Sequence, residues 1–222
     1  MDDRLRQRFD GLWARTPGTA GAEAVWRALD AGYGEAARHY HGWRHIADLL
    51  EGHDAARALP DFAELDHDAI DLAIVFHDAV YDTARTDNEA RSADLLRTHA
   101  GPRADSGPIR AAEAMIRATA AHAPSADPAT RLMLDLDLAV LGAAGPVYEA
   151  YAAAIRCEYA AVPDAAWRIG RAGVLGRFLA RPRLYQTDPF RDRFETQART
   201  NLAAELHALR ADRSGRPSFV PR

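Results

Sequence analysis

Apolar positions recur every three or four residues along most of the chain, and no run alternates apolar and polar residues long enough to read as a strand. Abundant Ala, Leu and Arg, with few β-branched runs, favour helix on the same segments. The pattern predicts helices over about 2–15, 20–31, 34–53, 66–80, 87–99, 107–122, 128–142, 145–160, 164–180 and 190–211. Breakers separate them: Pro17-Gly18, Gly52, Pro60, Gly101-Pro102, Gly107-Pro108, Pro124, Gly142, Pro163, Pro182 and Pro189. No repeat or linker interrupts the series. The expectation is an all-α chain with a single helical domain over 1–211, and a loose tail from Asp212, where the periodicity ends.

Composition narrows the chemistry more than the fold. At 222 residues, 48% of them hydrophobic, the chain is long enough to bury a sizeable core. A net charge of -4 with acids and bases interspersed gives no evident nucleic-acid surface. No apolar run approaches the roughly 18 residues of a membrane span. Met1-Asp2-Asp3-Arg4 is unlike the basic-then-apolar start of a signal peptide, so a cytoplasmic protein with no membrane partner is expected. Cys157 is the single cysteine, which excludes an internal disulfide or a thiolate zinc cluster. All 28 basic residues are arginine; without lysine the chain can build neither a P-loop nor a pyridoxal Schiff base.

Three segments put polar side chains where the pattern calls for a core. Ala69 to Val80 is apolar almost throughout before and after His77-Asp78, which predicts a buried helix carrying both side chains inward. Burial of that pair is costly unless it is satisfied, either by hydrogen bonds near a helix end or by a divalent metal. Upstream, His41 and His45 are four apart on the predicted 34–53 helix, so their rings share a face; they converge on a metal or a substrate, or form a surface cluster. Downstream, Leu132 to Leu141 is apolar around Asp135 and Asp137. Asp135 has Arg131 one turn back as an ion-pair partner, whereas Asp137 has no comparable local cation and is the better ligand.

A histidine, a His-Asp pair about 30 residues on, and an Asp about 60 residues further resembles the H…HD…D pattern of the HD-domain phosphohydrolase superfamily. Tyr40-His41, His45-Ile46, Phe76 to Asp82, Asp87-Asn88-Glu89, Ser92-Ala93, Leu134 to Leu138 and Leu141-Gly142 narrow it to a bacterial group of predicted HD-superfamily phosphohydrolases. Tyr151, Ile155-Arg156, Glu158-Tyr159, Gly170-Arg171, Ala198-Arg199, Asn201-Leu202 and Glu205-Leu206 extend the likeness over roughly 25–210.

The resemblance implies an HD-domain-like helical bundle with His45, His77, Asp78 and Asp137 as metal ligands. His41 competes with His45, and Asp135 with Asp137. It implies one divalent ion rather than two, drawn from Mn, Fe, Co, Ni and Zn, with Mg also compatible. The expected reaction is hydrolysis of a small-molecule phosphate ester or phosphoanhydride, a nucleotide among them, by a metal-activated water. The alternatives are an HD-type di-iron oxygenase using His99 and His122, or a non-catalytic nucleotide-sensing module that keeps the metal. His41, Asn88, Glu89 and His122 are the secondary catalytic or substrate-binding candidates. Asp87 or Asn88 is equally a helix cap and Glu89 a dipole partner. Arg156 and Arg171 are phosphate contacts or, on so arginine-rich a chain, a solvated face. Asn201 and Glu205, four apart, are expected to tie the last helix to its neighbours.

Overall fold

The computed structural model describes residues 3–16 and 21–211. The Pro17-Gly18 break and the tail from Asp212 lie outside the described residues. Those described are all-helical: α1 (Asp3–Arg15), α2 (Ala22–Tyr33), α3 (Trp43–Ala56), α4 (His67–Phe76), α5 (Asn88–Ala100), α6 (Gly107–Thr119), α7 (Pro128–Leu138), α8 (Gly145–Glu158), α9 (Asp164–Leu179) and α10 (Asp188–Ala211). Short 3-10 turns sit at Pro60–Phe62, Gly101–Arg103 and Ala139–Gly142. No single helix among the described residues is long and apolar enough to cross a membrane.

The chain divides into two compact units, with the boundary in sequence between Asp137 and Leu138. In the first, α4 is the central element. Every residue from Ala69 to Phe76 is buried, so this helix is apolar on all sides except at Asp71. It packs against α1, α3, α5 and α6. Each fully buried Ile, Leu or Phe there contributes roughly 1.5–3 kcal/mol. Asp66 caps the helix by accepting from Ala69 N at 3.0 Å. Gly52 of α3 faces Leu136 of α7, where a Cβ would lie 3.1 Å from Leu136 Cδ2 and require that side chain to shift by a few tenths of an ångström.

In the second unit, α10 packs on α9 and on the Ala139–Gly142 turn. Asn201 Nδ2 donates to Leu141 O (2.8 Å) and Ala143 O (2.9 Å), and Glu205 takes Arg171 bidentately, so both residues tie the last helix as expected. Arg171 is not on a solvated face. It is 8% exposed, paired with Glu205 and stacked on Tyr151. Arg156 closes the end of α8, donating to Tyr159 O and Val162 O and pairing with Asp164.

Four helices depart from the limits of the hydrophobic pattern by three residues or more; one is α7, where the predicted 128–142 helix gives way to the 3-10 turn at Ala139. The predicted 34–53 helix begins only at Trp43, after turns over 34–42. Trp43 is drawn down onto α2 instead, its ring 4.5 Å from Trp26 and its Nε1 donating to Asp30 at 2.8 Å. His41 therefore does not share a helix face with His45. The predicted 66–80 helix stops at Phe76, and the 107–122 helix stops at Thr119.

Candidate metal centre

The end of α4 is closed by partners from elsewhere in the first unit. A helix leaves its last four carbonyls without intrahelical donors. Here Ala73 O accepts from His77 N (2.9 Å) and Ile74 O from His77 Nδ1 (2.9 Å). Val75 O accepts from the Tyr33 hydroxyl (2.9 Å) and Phe76 O from Ala79 N (3.0 Å). The first of these is the last i→i−4 bond; the other three carbonyls are met by a side chain or by a tighter turn, and the chain leaves the helix after Phe76. His77 is the C-cap, still in helical dihedrals, and Asp78 lies in the turn. The expectation of both residues on a helix face is corrected accordingly.

The turn is held onto α5 beyond it. Ser92 Oγ accepts from Val80 N at 3.0 Å and donates to Val80 O at 3.3 Å. Asn88 accepts from Asp82 N (3.1 Å) and donates to Asp82 O (2.9 Å). Asn88 is thus occupied in pinning the loop. Asp87, at the N-cap, makes no capping bond and pairs with Arg85. Glu89 is half-buried in the first turn of α5 and, among the described residues, makes no hydrogen bond or ion pair with the centre.

The Ile74 carbonyl fixes the His77 tautomer. Nδ1 carries the proton it donates, which leaves Nε2 to face inward. His77 Nε2 lies 3.3 Å from His45 Nε2, 2.9 Å from Asp78 Oδ2 and 3.6 Å from Asp137 Oδ1. His45 Nε2 lies 3.6 Å from Asp78 Oδ2 and 3.3 Å from Asp137 Oδ1. His45 and His77 are buried, and Asp78 and Asp137 are 14% and 15% exposed. His45, His77 and Asp137 each bring a donor atom within 4.8 Å of the other two; Asp78 joins through both histidines.

These spacings suit a metal. Bonds of about 2.1 Å separate neighbouring ligand atoms by about 3.0 Å in an octahedron and about 3.4 Å in a tetrahedron. Two neutral imidazoles and two carboxylates also carry the charge that a divalent cation balances. Without a cation, two imidazole nitrogens face each other beside two acids. Burial alone would lower the His77 pKa, but the Asp78 charge and bonds to Asp137 and Asp78 raise it well above the ordinary histidine range. Burial works against ionised Asp78, yet His77, His41 and His45 hold its pKa well below the carboxylate range. Burial likewise opposes ionised Asp137, and bonds to His122, His45 and His77 outweigh it.

His122 is the fifth side chain of the cluster. Its Nε2 lies 2.9 Å from Asp137 Oδ2, the oxygen turned away from His45 and His77. It is also the one non-glycine residue with positive φ (47°) among those described. That left-handed conformation costs about 1–2 kcal/mol for an L-residue. A continuing α6 would carry His122 round the helix; the break after Thr119 turns it to Asp137 instead.

His41 stands at the rim, half-buried, with its ring 5.8 Å from that of His45 and 4.3 Å from that of Tyr81. Asp135 is fully buried, and Asp137 is the aspartate that reaches the histidines. His99 lies at the opposite end of α5 from Asn88, and burial lowers its pKa. Sequence reasoning passed over Tyr33 and Arg38, whose donors hold the His77-Asp78 turn; nothing marks Arg38 among 28 basic residues. Comparison of the chain with family models, curated proteins and solved structures found no match.

Proposed function

We propose that this chain is a metal-dependent phosphohydrolase of the HD superfamily, acting on a phosphate ester or phosphoanhydride. The observation that carries the reading is the convergence of His45, His77 and Asp137 from three separate helical segments, with Asp78 against both histidines. The order of those residues along the chain, H…HD…D, and the all-helical architecture support the superfamily. A nucleotide is one phosphoanhydride within this class.

His45, His77, Asp78 and Asp137 would hold a divalent ion, one of Mn, Fe, Co, Ni or Zn, with Mg also compatible, which would supply Lewis-acid chemistry at the phosphoryl oxygen and an acidified water. The protein's own residues set up that chemistry. Ile74 O holds the His77 ring so that its Nε2 lone pair is the one presented. His122 occupies Asp137 Oδ2 and keeps Oδ1 turned to the histidines. To His41, half-buried beside Tyr81 at the rim, we assign the transfer of a proton to the leaving group. A single three-residue cluster among the described residues favours one ion over two.

Metal analysis of the purified protein, followed by a phosphoester and nucleotide panel on wild type, Asp78→Ala and Asp137→Ala, tests the reading. The expected result is about one divalent ion per chain and phosphate release that both substitutions abolish in folded protein. Undiminished release in both variants would remove the site. Two irons per chain with oxygen consumption would replace the hydrolase by an oxygenase. A metal-loaded protein inactive across the panel but stabilised by a nucleotide would make it a sensing module.

A further inference from the structure

We propose that Arg38 is a positioning residue for the candidate metal centre: its guanidinium fixes the main chain of the His77-Asp78 turn, and through it the Asp78 carboxylate. The inference rests on the metal-centre reading above. The Arg38 side chain is 2% exposed, although Arg38 precedes α3 in a stretch of turns. Its Nη1 donates to Asp78 O at 2.5 Å and to His41 O at 3.2 Å, and its Nη2 to Ala79 O at 3.1 Å. Nε reaches Glu35 at 3.2 Å, and the planar group lies near the rings of Tyr33 (5.3 Å) and Tyr81 (5.7 Å).

Burying a guanidinium is costly unless its donors are met, and here three of its partners are main-chain carbonyls. Two of those belong to Asp78 and the next residue, where the chain has left α4 and no helical bond sets its direction. The third belongs to His41, so one side chain joins the rim histidine's segment to the turn carrying the His-Asp pair. The carbonyl and the carboxylate of Asp78 hang from one Cα. A displacement of that Cα, which the three Arg38 bonds resist, moves the carboxylate away from His77 Nε2, which it meets at 2.9 Å.

Gly32 completes the grip. A Cβ there would lie 2.5 Å from Ala79 O and 3.3 Å from Arg38 Nη2, so only glycine lets the turn come this close to α2. A lysine at 38 would keep a charge but could not span the carbonyls with a rigid fork.

Cobalt(II) titration of wild type, Arg38→Lys, Gly32→Ala and the control Asp137→Ala tests this, read by calorimetry and by the visible spectrum of the bound ion. Thermal melts of each chelated protein report folding. The two outer variants approach the turn differently: Arg38→Lys removes the fork, whereas Gly32→Ala keeps it and displaces Ala79 O. The expected result is Kd raised about 10- to 100-fold in both outer variants, an altered cobalt spectrum, and cooperative melts. Wild-type Kd and spectrum in both, with only the chelated melts lowered, would assign Arg38 to stability alone and overturn the proposal while sparing the centre. Wild type that binds no cobalt, or Asp137→Ala that binds it normally, would overturn the centre and with it the role of Arg38.

Discussion

His53 Nδ1 lies 2.6 Å from Asp71 Oδ1 between α3 and α4, the same two segments that bring His45 and His77 together. His45 and His53 lie two turns apart on α3, and Asp71 lies mid-way along α4, six residues before the His77 that caps it. The two buried polar contacts therefore hold the helix pair at two levels. Arg8 of α1 adds a second bond to Asp71, its Nη2 3.0 Å from Oδ2.

Loss of the Asp71 carboxylate should loosen that pair and leave the buried His53 Nδ1 without its acceptor. Asp71→Ala is expected to cost about 1–3 kcal/mol, the range for a buried polar group stripped of its partner. Urea unfolding of chelated protein measures it. A midpoint equal to wild type would show that α3 and α4 are held without this contact.

The same cluster predicts a pH dependence. His67 Nδ1 lies 3.0 Å from His53 Nε2, and burial, reinforced by the His53 and Arg57 charges, lowers the His67 pKa. Since the folded value lies below the unfolded one of about 6.5, folding disfavours the protonated ring. The contribution is complete above the unfolded value and is lost as pH falls through the folded value. Wild type should therefore lose stability below about pH 6.5 more steeply than His67→Gln in parallel urea melts. Superimposable pH profiles would refute the assignment.

At the centre itself, His122→Ala removes the bond to Asp137 Oδ2 and leaves Asp137 free to turn. Outer partners of metal ligands are typically worth about 10- to 100-fold in affinity, and that loss is expected in metal titration. Stability should fall little, because alanine at φ 47° retains the backbone strain and no core side chain is removed. Unchanged affinity would make the His122–Asp137 contact incidental.

What the sequence discloses of this site and what it hides have different physical origins. The apolar block around His77-Asp78 is legible because α4 is buried on all sides, so nearly every residue of it is hydrophobic. Its end is not legible, because the donors that take its final carbonyls include Tyr33, more than forty residues away in sequence. Gly34 and Gly42 did mark the break that separates His41 from α3, but three- and four-residue periodicity ran over them. His122 carries no glycine or asparagine signal for its left-handed backbone; the contact it makes there is with Asp137, fifteen residues on in sequence. Asp135 and Asp137, two apart on α7, point about 200° apart round the helix, so the pattern requires that only one face the histidines without saying which.

Asparagine substitutions should separate those two acids. Asp137→Asn is expected to abolish metal binding, since Oδ1 is a donor within the cluster. Asp135→Asn should keep metal binding and lower the melting temperature, because its carboxylate is fully buried in α7. Equal loss of metal in both variants would contradict the assignment of the last ligand to Asp137.

In the second unit the strongest stability effect is expected at Glu205. Its Oε1 accepts from Arg171 Nε at 2.8 Å, and its Oε2 accepts from Arg171 Nη2 at 3.0 Å and from the Tyr148 hydroxyl at 2.5 Å. Burial would lower the Arg171 pKa, but the Tyr151 and Glu205 interactions raise it above its ordinary value; burial, then Glu205, raises that of Tyr148. Glu205→Ala leaves a guanidinium that is 8% exposed with no carboxylate, a loss of about 3–5 kcal/mol for a broken buried pair. Tyr148→Phe deletes one bond and should cost only about 1 kcal/mol. Arg85→Ala, which breaks an exposed pair with Asp87, should leave the urea midpoint where it was. If Glu205→Ala and Arg85→Ala unfold alike, the buried network is not what joins α8, α9 and α10.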